Sequence, residues 1–472
     1  MPVQTPPLST PSRSAPAAPG YARRLGPFSG TMLVVGGIIG AGIFLSPSVV
    51  AQRTGSPALV LGAWGLGALV AIIGGFVYAE LGARRPLAGG TYVYLRDAWG
   101  ALPAFLYGWA LFLVIATGAL AAVAMTGANY TAALLGVGDA AVQPIAAALI
   151  VGLTVVNIAG VQVGATTGNV LTLLKLAAIA ALVVAAVLLS PVNPLPAPVT
   201  GDIAVPLAAP AGVIGVLTAM SAALAPVLFS FGGWQQTNAV AEELVDPERT
   251  LPKALVFGVL LVVATYMLVN VAYLRALGIE GLAASRAPAA DSMFVYLGAP
   301  GRTLMALGIV TSTVGFLCMV ILMSARVYQA MAADGLFFAR LAALHPRTRT
   351  PVWALVAQCV VTLVLLFTST YGKLLDYVVF ADWIFFGATA AALFPLRRID
   401  ARRGHRVTVL TPLHPYSTVL FVLAAAYVVV GSVQSNPGNA LRGAALLLLG
   451  VPVFAYWSSR GRSAAAGGGR AP

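Results

Sequence analysis

The chain has 472 residues, of which 59% are hydrophobic and only 9% charged, and its mean hydropathy is +0.92. That composition excludes an ordinary soluble domain and, with apolar runs of about 20 residues recurring throughout, reads as one all-α polytopic membrane protein. The net charge of +13 does not point to nucleic acid, because the Lys and Arg excess lies in short loops between apolar runs, where it reports topology.

In chain order, residues 1–20 are rich in Pro, Ser, Thr and Ala without a sustained apolar run, so 1–25 reads as a disordered cytoplasmic tail and not as a cleavable signal peptide. Twelve spans follow, near 30–50, 57–82, 101–128, 142–160, 165–190, 211–242, 253–277, 302–332, 351–370, 374–396, 413–433 and 440–458, with a Pro-rich loop from Pro191 to Pro210. The first span contains Gly36 to Phe44, GGIIGAGIF. Each glycine in a helix interior costs about 1 kcal/mol relative to alanine, so a break is expected near Gly40. A second stretch of the same kind, Phe229 to Trp234, lies in the sixth span as FSFGGW. In hydrocarbon a broken helix is tolerated where protein or a watery cavity satisfies its freed backbone, and two breaks in corresponding positions point to a transporter's binding site. Taken singly, each stretch also fits close helix packing through small residues.

Basic residues favour the cytoplasmic side of span ends. With the N-terminus inside, Arg13, Arg23, Arg24, Arg84, Arg85, Arg96, Arg249, Lys253, Arg326, Arg340, Arg347, Arg349, Arg397, Arg398, Arg402, Arg403, Arg406, Arg460, Arg462 and Arg470 are cytoplasmic, against Arg53, Arg275, Arg286, Arg302, Lys373 and Arg442 outside. Both termini are therefore expected in the cytoplasm. Spans one to five (26–200) then run in the opposite sense to spans six to ten (201–400), as an inverted repeat requires, with two further helices in 401–460 and a cytoplasmic tail at 461–472.

The broken ends supply chemistry without charged side chains. Amides of Ala41, Gly42 and Ile43 can hold a carboxylate, and carbonyls of Ile38, Phe229 and Gly232 an ammonium, which together match a free amino acid, while ions or small neutral solutes can use similar breaks. Ile39, Gly40, Ser230, Phe231 and Trp234 complete this candidate substrate site. Lys175, deep in the fifth apolar run, is expected to face the bundle and bond to carbonyls or a hydroxyl, the alternative being snorkelling to the interface. Asp382 in FADWIFFG is the other intramembrane charge, a candidate for substrate or gate contact, the alternative being a carboxyl satisfied by neighbouring hydroxyls or water. Glu80, beside Arg84 and Arg85, reads as an interfacial structural carboxylate, and Glu242, Glu243, Asp246, Glu248 and Arg249 read as a solvated turn. Cys318 and Cys359 lie inside apolar runs, and His345, His405 and His414 lie in or beside polar loops. No disulfide framework, metal site or intramembrane catalytic histidine is indicated, so neither a cofactor nor enzyme activity is expected.

Together these stretches resemble the amino acid, polyamine and organocation transporter superfamily, and within it the L-type amino-acid transporters and their bacterial relatives. The resemblance rests on GGIIGAGIF with Ser46 and Pro47, on Tyr78-Ala-Glu-Leu-Gly82 through Gly89-Gly90, and on Phe229 to Trp234 with Glu242-Glu243 and Asp246-Pro-Glu-Arg-Thr-Leu-Pro-Lys253. It implies the LeuT-like fold of two inverted five-helix repeats plus two helices, with helices 1 and 6 broken, in the plasma (inner) membrane. It implies alternating-access exchange or proton-coupled transport of amino acids. Phe229 resembles the aromatic gate, Lys175 the lysine that stands at the sodium position in sodium-independent relatives, and Asp382 falls where some relatives have Asn. Two departures stand out. Gly127 to Gln143 lacks the cysteine that joins eukaryotic relatives to a glycoprotein heavy chain, so no disulfide-linked heavy chain is expected, and Cys318-Met319 replace an Asn-Gly pair. The expected partners are an amino-acid substrate, the bilayer and protons. The expected substrate is neutral and transport sodium-independent, the alternatives being a polyamine or organic-cation transporter, or a membrane sensor or channel.

Overall fold

The computed structural model describes residues 21–193, 210, 212–368, 371–435 and 437–467, with the side chains of 371–380, 435, 439 and 460–467 left out. The disordered-tail reading of 1–20 and most of the Pro191–Pro210 loop therefore lie outside the described residues. Among those described, the structure is helical without a β-strand, the single bridge being Leu25 with Leu244.

The first apolar run divides into α1 (Pro27–Ile38) and α2 (Gly42–Thr54), bent by 41°. Then come α3 (Pro57–Arg84), α4 (Thr91–Trp99), α5 (Ala101–Ala110) and α6 (Ala116–Leu135), the last two continuous through a π segment, Leu111–Ile115. Next are α7 (Val142–Ile158), α8 (Val161–Leu188) and α9 (Gly212–Phe231), which continues after a two-glycine break into a 3-10 segment, Trp234–Glu243. The chain closes with α10 (Pro247–Ala284), α11 (Pro288–Ala333), α12 (Val352–Thr368), α13 (Tyr371–Ala391), α14 (Leu393–Arg402), α15 (Tyr416–Ser435) and α16 (Pro437–Gly467). Among the described residues nine helical stretches are long and apolar enough to cross a bilayer, ten with the bent α1–α2 pair. The shorter α12 and the charge-bearing α13 stand where the ninth and tenth spans are expected.

Several elements were not expected. Helices α4 and α14 are short and carry their charges at the predicted cytoplasmic face, where the sequence predicts loops. Helix α11 begins at Pro288, well before the expected 302, and turns at Gly298 (φ 66°). Helix α16 runs to Gly467, past the expected boundary at 460.

Packing follows the side chains. Val155, Val187, Ile214, Phe257 and Val364 point outward with 55–82% of their surface exposed, a fit to lipid rather than water. Inside, Trp64, Tyr78, Tyr266, Phe231 and Trp234 are buried around the two breaks. At the predicted cytoplasmic end, Glu80 accepts from Arg84 at 2.6 Å, Arg397 at 2.6 Å and the Thr411 amide at 2.7 Å, while Asp400 joins Arg84 and Arg85, each at 2.8 Å. Glu80 is thus structural as expected. Glu243 is a correction: it is 1% exposed and pairs with fully buried Arg326 at 2.7 Å, because the turn after the 3-10 segment folds inward against α11.

Candidate functional site

The two breaks lie against each other. Ile38 ends α1, Ile39 and Gly40 form the link, Ala41 caps α2, and Gly42 and Ile43 open it. Opposite, Phe229, Ser230 and Phe231 end α9, Gly232 and Gly233 form the link, and Trp234 begins the 3-10 segment. Gly233 has φ 119°, a value that disfavours side chains, and a Cβ there would run into the Gly37 carbonyl. A Cβ on Gly42 would lie 2.8 Å from Ser230 Oγ. The glycines therefore do two things: they weaken the helix, and they let the broken backbones touch.

Lys175 of α8 is fully buried, and its Nζ donates to Ile39 O at 2.5 Å and Gly36 O at 3.2 Å. Ser312 Oγ of α11 donates to Ile39 O and Gly40 O, both at 3.3 Å. Tyr266 OH of α10 lies 3.3 Å from Ile38 O and 3.2 Å from Ser230 O, touching both breaks. An ammonium and two hydroxyls thus satisfy carbonyls that the broken helix leaves without amide partners. Snorkelling of Lys175 does not occur. The first amides of α2, at Gly42 and Ile43, have no partner within their helix and form a short positive dipole end.

The remaining expected residues are distributed unevenly. Phe229 is half-buried beside the break. Phe231 packs on Trp64 at 5.6 Å and Tyr266 at 5.1 Å between ring centroids, and Trp234 stacks on Phe386 at 5.7 Å, so these two rings serve the interior packing. Asp382, half-buried on α13, faces Tyr78 and Tyr107, apart from the carbonyl cluster around Lys175. Ser312 and Tyr266 were missed in sequence. The available signal was a hydroxyl inside an apolar run, which is common and gives no direction.

Among the described residues no group of three or more His, Cys, Asp or Glu side chains could hold a metal ion. Cys318 is buried and Cys359 half-buried, both as free thiols. The arrangement offers amides for an anion, carbonyls for a cation, and a fixed lysine at their junction.

Residues 25–450 match the model of the amino acid permease family. The chain is 32% identical over 456 residues to the large neutral amino acids transporter small subunit 2 of Oryctolagus cuniculus, covering 93% of this chain and 81% of that protein. It is 29% identical over 431 residues to the human b(0,+)-type amino acid transporter 1, covering 89% and 85%. It is 28% identical over 438 residues to the serine/threonine exchanger SteT of Bacillus subtilis (strain 168), covering 92% and 97%. With a family match over residues 25–450 and 32% identity to a curated member across most of both chains, the chain belongs to the amino acid permease family, within the amino acid, polyamine and organocation superfamily.

Proposed function

We propose that this protein moves neutral amino acids across the plasma membrane by alternating access, independently of sodium. The observation that carries the reading is the Lys175 ammonium, bonded to Gly36 O and Ile39 O where the first helix breaks. A bound cation there would satisfy the same carbonyls, so a tethered one removes the need for sodium. The substrate carboxylate binds the amides of Ala41, Gly42 and Ile43. Its ammonium binds carbonyls of the two breaks, those of Ile38, Phe229 and Gly232, and Phe229 closes over it.

Neutral substrates are favoured because neither break carries a charged side chain, and the names of the large neutral amino acids transporter and the serine/threonine exchanger support that choice. The twelve spans form two inverted five-helix repeats and two further helices, with both termini in the cytoplasm. No disulfide-linked heavy chain is required, since Cys318 and Cys359 lie within α11 and α12.

Uptake of radiolabelled amino acids by proteoliposomes, compared in sodium and choline buffers with and without internal substrate, tests this directly. The expected result is saturable exchange at equal rates in both buffers. A sodium requirement removes the lysine argument, and absence of saturable exchange for every amino acid removes the transport reading.

A further inference from the structure

Asp382 is not part of the Lys175 cluster, and its surroundings have a different character. Among the described residues its carboxylate has no hydrogen bond or ion pair. One turn along α13, Phe385 packs on Tyr107 at 5.3 Å and Phe386 on Tyr78 at 6.4 Å, which places both phenols beside the carboxylate. The Tyr78 hydroxyl stands by Thr91 and Thr389, and the Tyr107 hydroxyl by Thr91. Tyr78, Thr91 and Thr389 are 0%, 3% and 0% exposed, and their hydroxyls face one another without closing a well-formed hydrogen bond.

Thr91 and Tyr107 then border a void of about 10 Å³ whose other walls include Gly89, Gln235, Gln236 and Ser324. That volume suits a single water molecule, and the Oε1 of Gln236 beside it is also without a partner. Buried polar atoms left unpaired are costly and uncommon, and together with the void this row of them gives a place where a water molecule can be held. The row leads from mid-membrane Asp382 toward the Gly89 turn at the predicted cytoplasmic side.

Charged and titratable groups on the helices around α13 are engaged elsewhere. On α3, Glu80 and Arg84 belong to the cytoplasmic ion-pair cluster, as do Arg397 and Asp400 on α14. On α4, Tyr92 binds Asp334, Tyr94 binds Asn238, and Arg96 pairs with Asp97 and Asp334. On α15, Tyr427 bonds Ser221, and on α16 Tyr456 packs on Trp457 and Arg442 has a partner. Arg398, Arg402 and Tyr416 point to the exposed surface. Only Tyr78 and Tyr107 face Asp382 among the described side chains, residues 371–380 of its own helix lying outside them.

We propose that Asp382 is the proton-binding site of a proton-coupled cycle, and that Tyr107, Thr91 and the void beside Gln236 carry the proton between it and the cytoplasm. The proposal rests on the transport reading above. The carboxylate takes up one proton to become a neutral acid. In the release step Tyr107 accepts that proton while passing its own hydroxyl proton to the water in the void, so no net charge stays on the phenol. Because the proton is held in one conformation and delivered in the other, its binding drives the conformational equilibrium.

The test uses the full-length protein in proteoliposomes containing the pH dye pyranine. Radiolabelled L-serine and L-leucine are supplied in two arms: exchange against internal substrate at equal pH, and net uptake with the outside about one pH unit more acidic, a tenfold difference in proton activity. Expected for the wild type is exchange in the first arm, and in the second accumulation approaching about tenfold with internal acidification. Asp382→Asn exchanges at a reduced rate, with the ratio of protons to substrate reduced to zero, and Asp382→Glu restores that ratio. Thr91→Val and Tyr107→Phe lower the rate of acidification more than the rate of exchange. Exchange without acidification in the wild type, or wild-type coupling in Asp382→Asn, overturns the proton site and leaves transport standing. No exchange in any arm removes the transport reading, and this proposal with it.

Discussion

Lys175 holds a positive charge where the backbone offers only oxygen, and it is the sole ammonium doing so at the first break among the described residues. Lys175→Ala leaves Gly36 O without its donor and Ile39 O with only the Ser312 hydroxyl, and a buried carbonyl left orphaned costs about 1–3 kcal/mol. The expected outcome is a lower unfolding temperature and sharply slowed transport, with substrate affinity at equilibrium less affected. Thermal unfolding and exchange kinetics on the same preparation check it, and wild-type rates would reduce the lysine to packing. At Asp400, burial raises the carboxyl, but hydrogen bonds from Arg85 and Arg84 outweigh it and hold the group below its ordinary range. A depressed folded-state value means its stabilisation is complete above the unfolded value, near pH 4, and is lost as pH falls through the folded one. Asp400→Asn should therefore flatten the acid limb of a stability profile, and an unchanged acid limb would show the cluster contributes little. Lys175 was legible in sequence because an ammonium in a long apolar run has few alternatives. Glu243 was not, since a carboxylate in an acidic, Pro-containing turn looks solvated until α11 brings Arg326 against it.

Among the elements, the first break was legible because its glycines sit in an otherwise continuous apolar run and weaken the helix locally. The π segment at Leu111–Ile115 was not, since LFLVI has ordinary helix-forming residues and only tertiary packing sets the extra residue per turn. Helices α4 and α14 escaped for a related reason: short amphipathic pieces carry too little periodicity to separate from loops. The contact between breaks gives a sharp contrast in glycines. Gly233→Ala combines a positive φ with a collision against Gly37, so destabilisation of at least about 3 kcal/mol is expected. Gly65→Ala, in α3 with nothing within 4 Å of its added Cβ, should be neutral or stabilising by up to about 1 kcal/mol. Thermal unfolding of the two variants in detergent compares them, and equal effects would contradict the close approach of the two links.

Across the whole molecule, Glu243 and Arg326 form a buried pair between the 3-10 segment and α11, reinforced by Arg326 donating to Leu322 O at 2.6 Å. Glu243→Gln strands a buried guanidinium and should cost about 3–5 kcal/mol, whereas Glu243→Leu with Arg326→Met should cost clearly less than the sum of the single changes. Strict additivity in thermal unfolding would show the two residues act separately. The Leu25–Leu244 bridge lies at the same place: the amides of Arg24 and Leu25 both donate to Glu243 O at 2.9 Å, and Val245 N donates to Leu25 O at 2.9 Å. The approach to α1 and the exit of the second broken helix are therefore riveted together, and neither can swing alone. They form one lever with two arms, so whatever tilts the first helix delivers the same stroke to the second. Amide hydrogen exchange offers a clock for that stroke, because Leu25 and Val245 should lose protection in step, at a rate set by opening, and regain it together when a substrate holds the lever still.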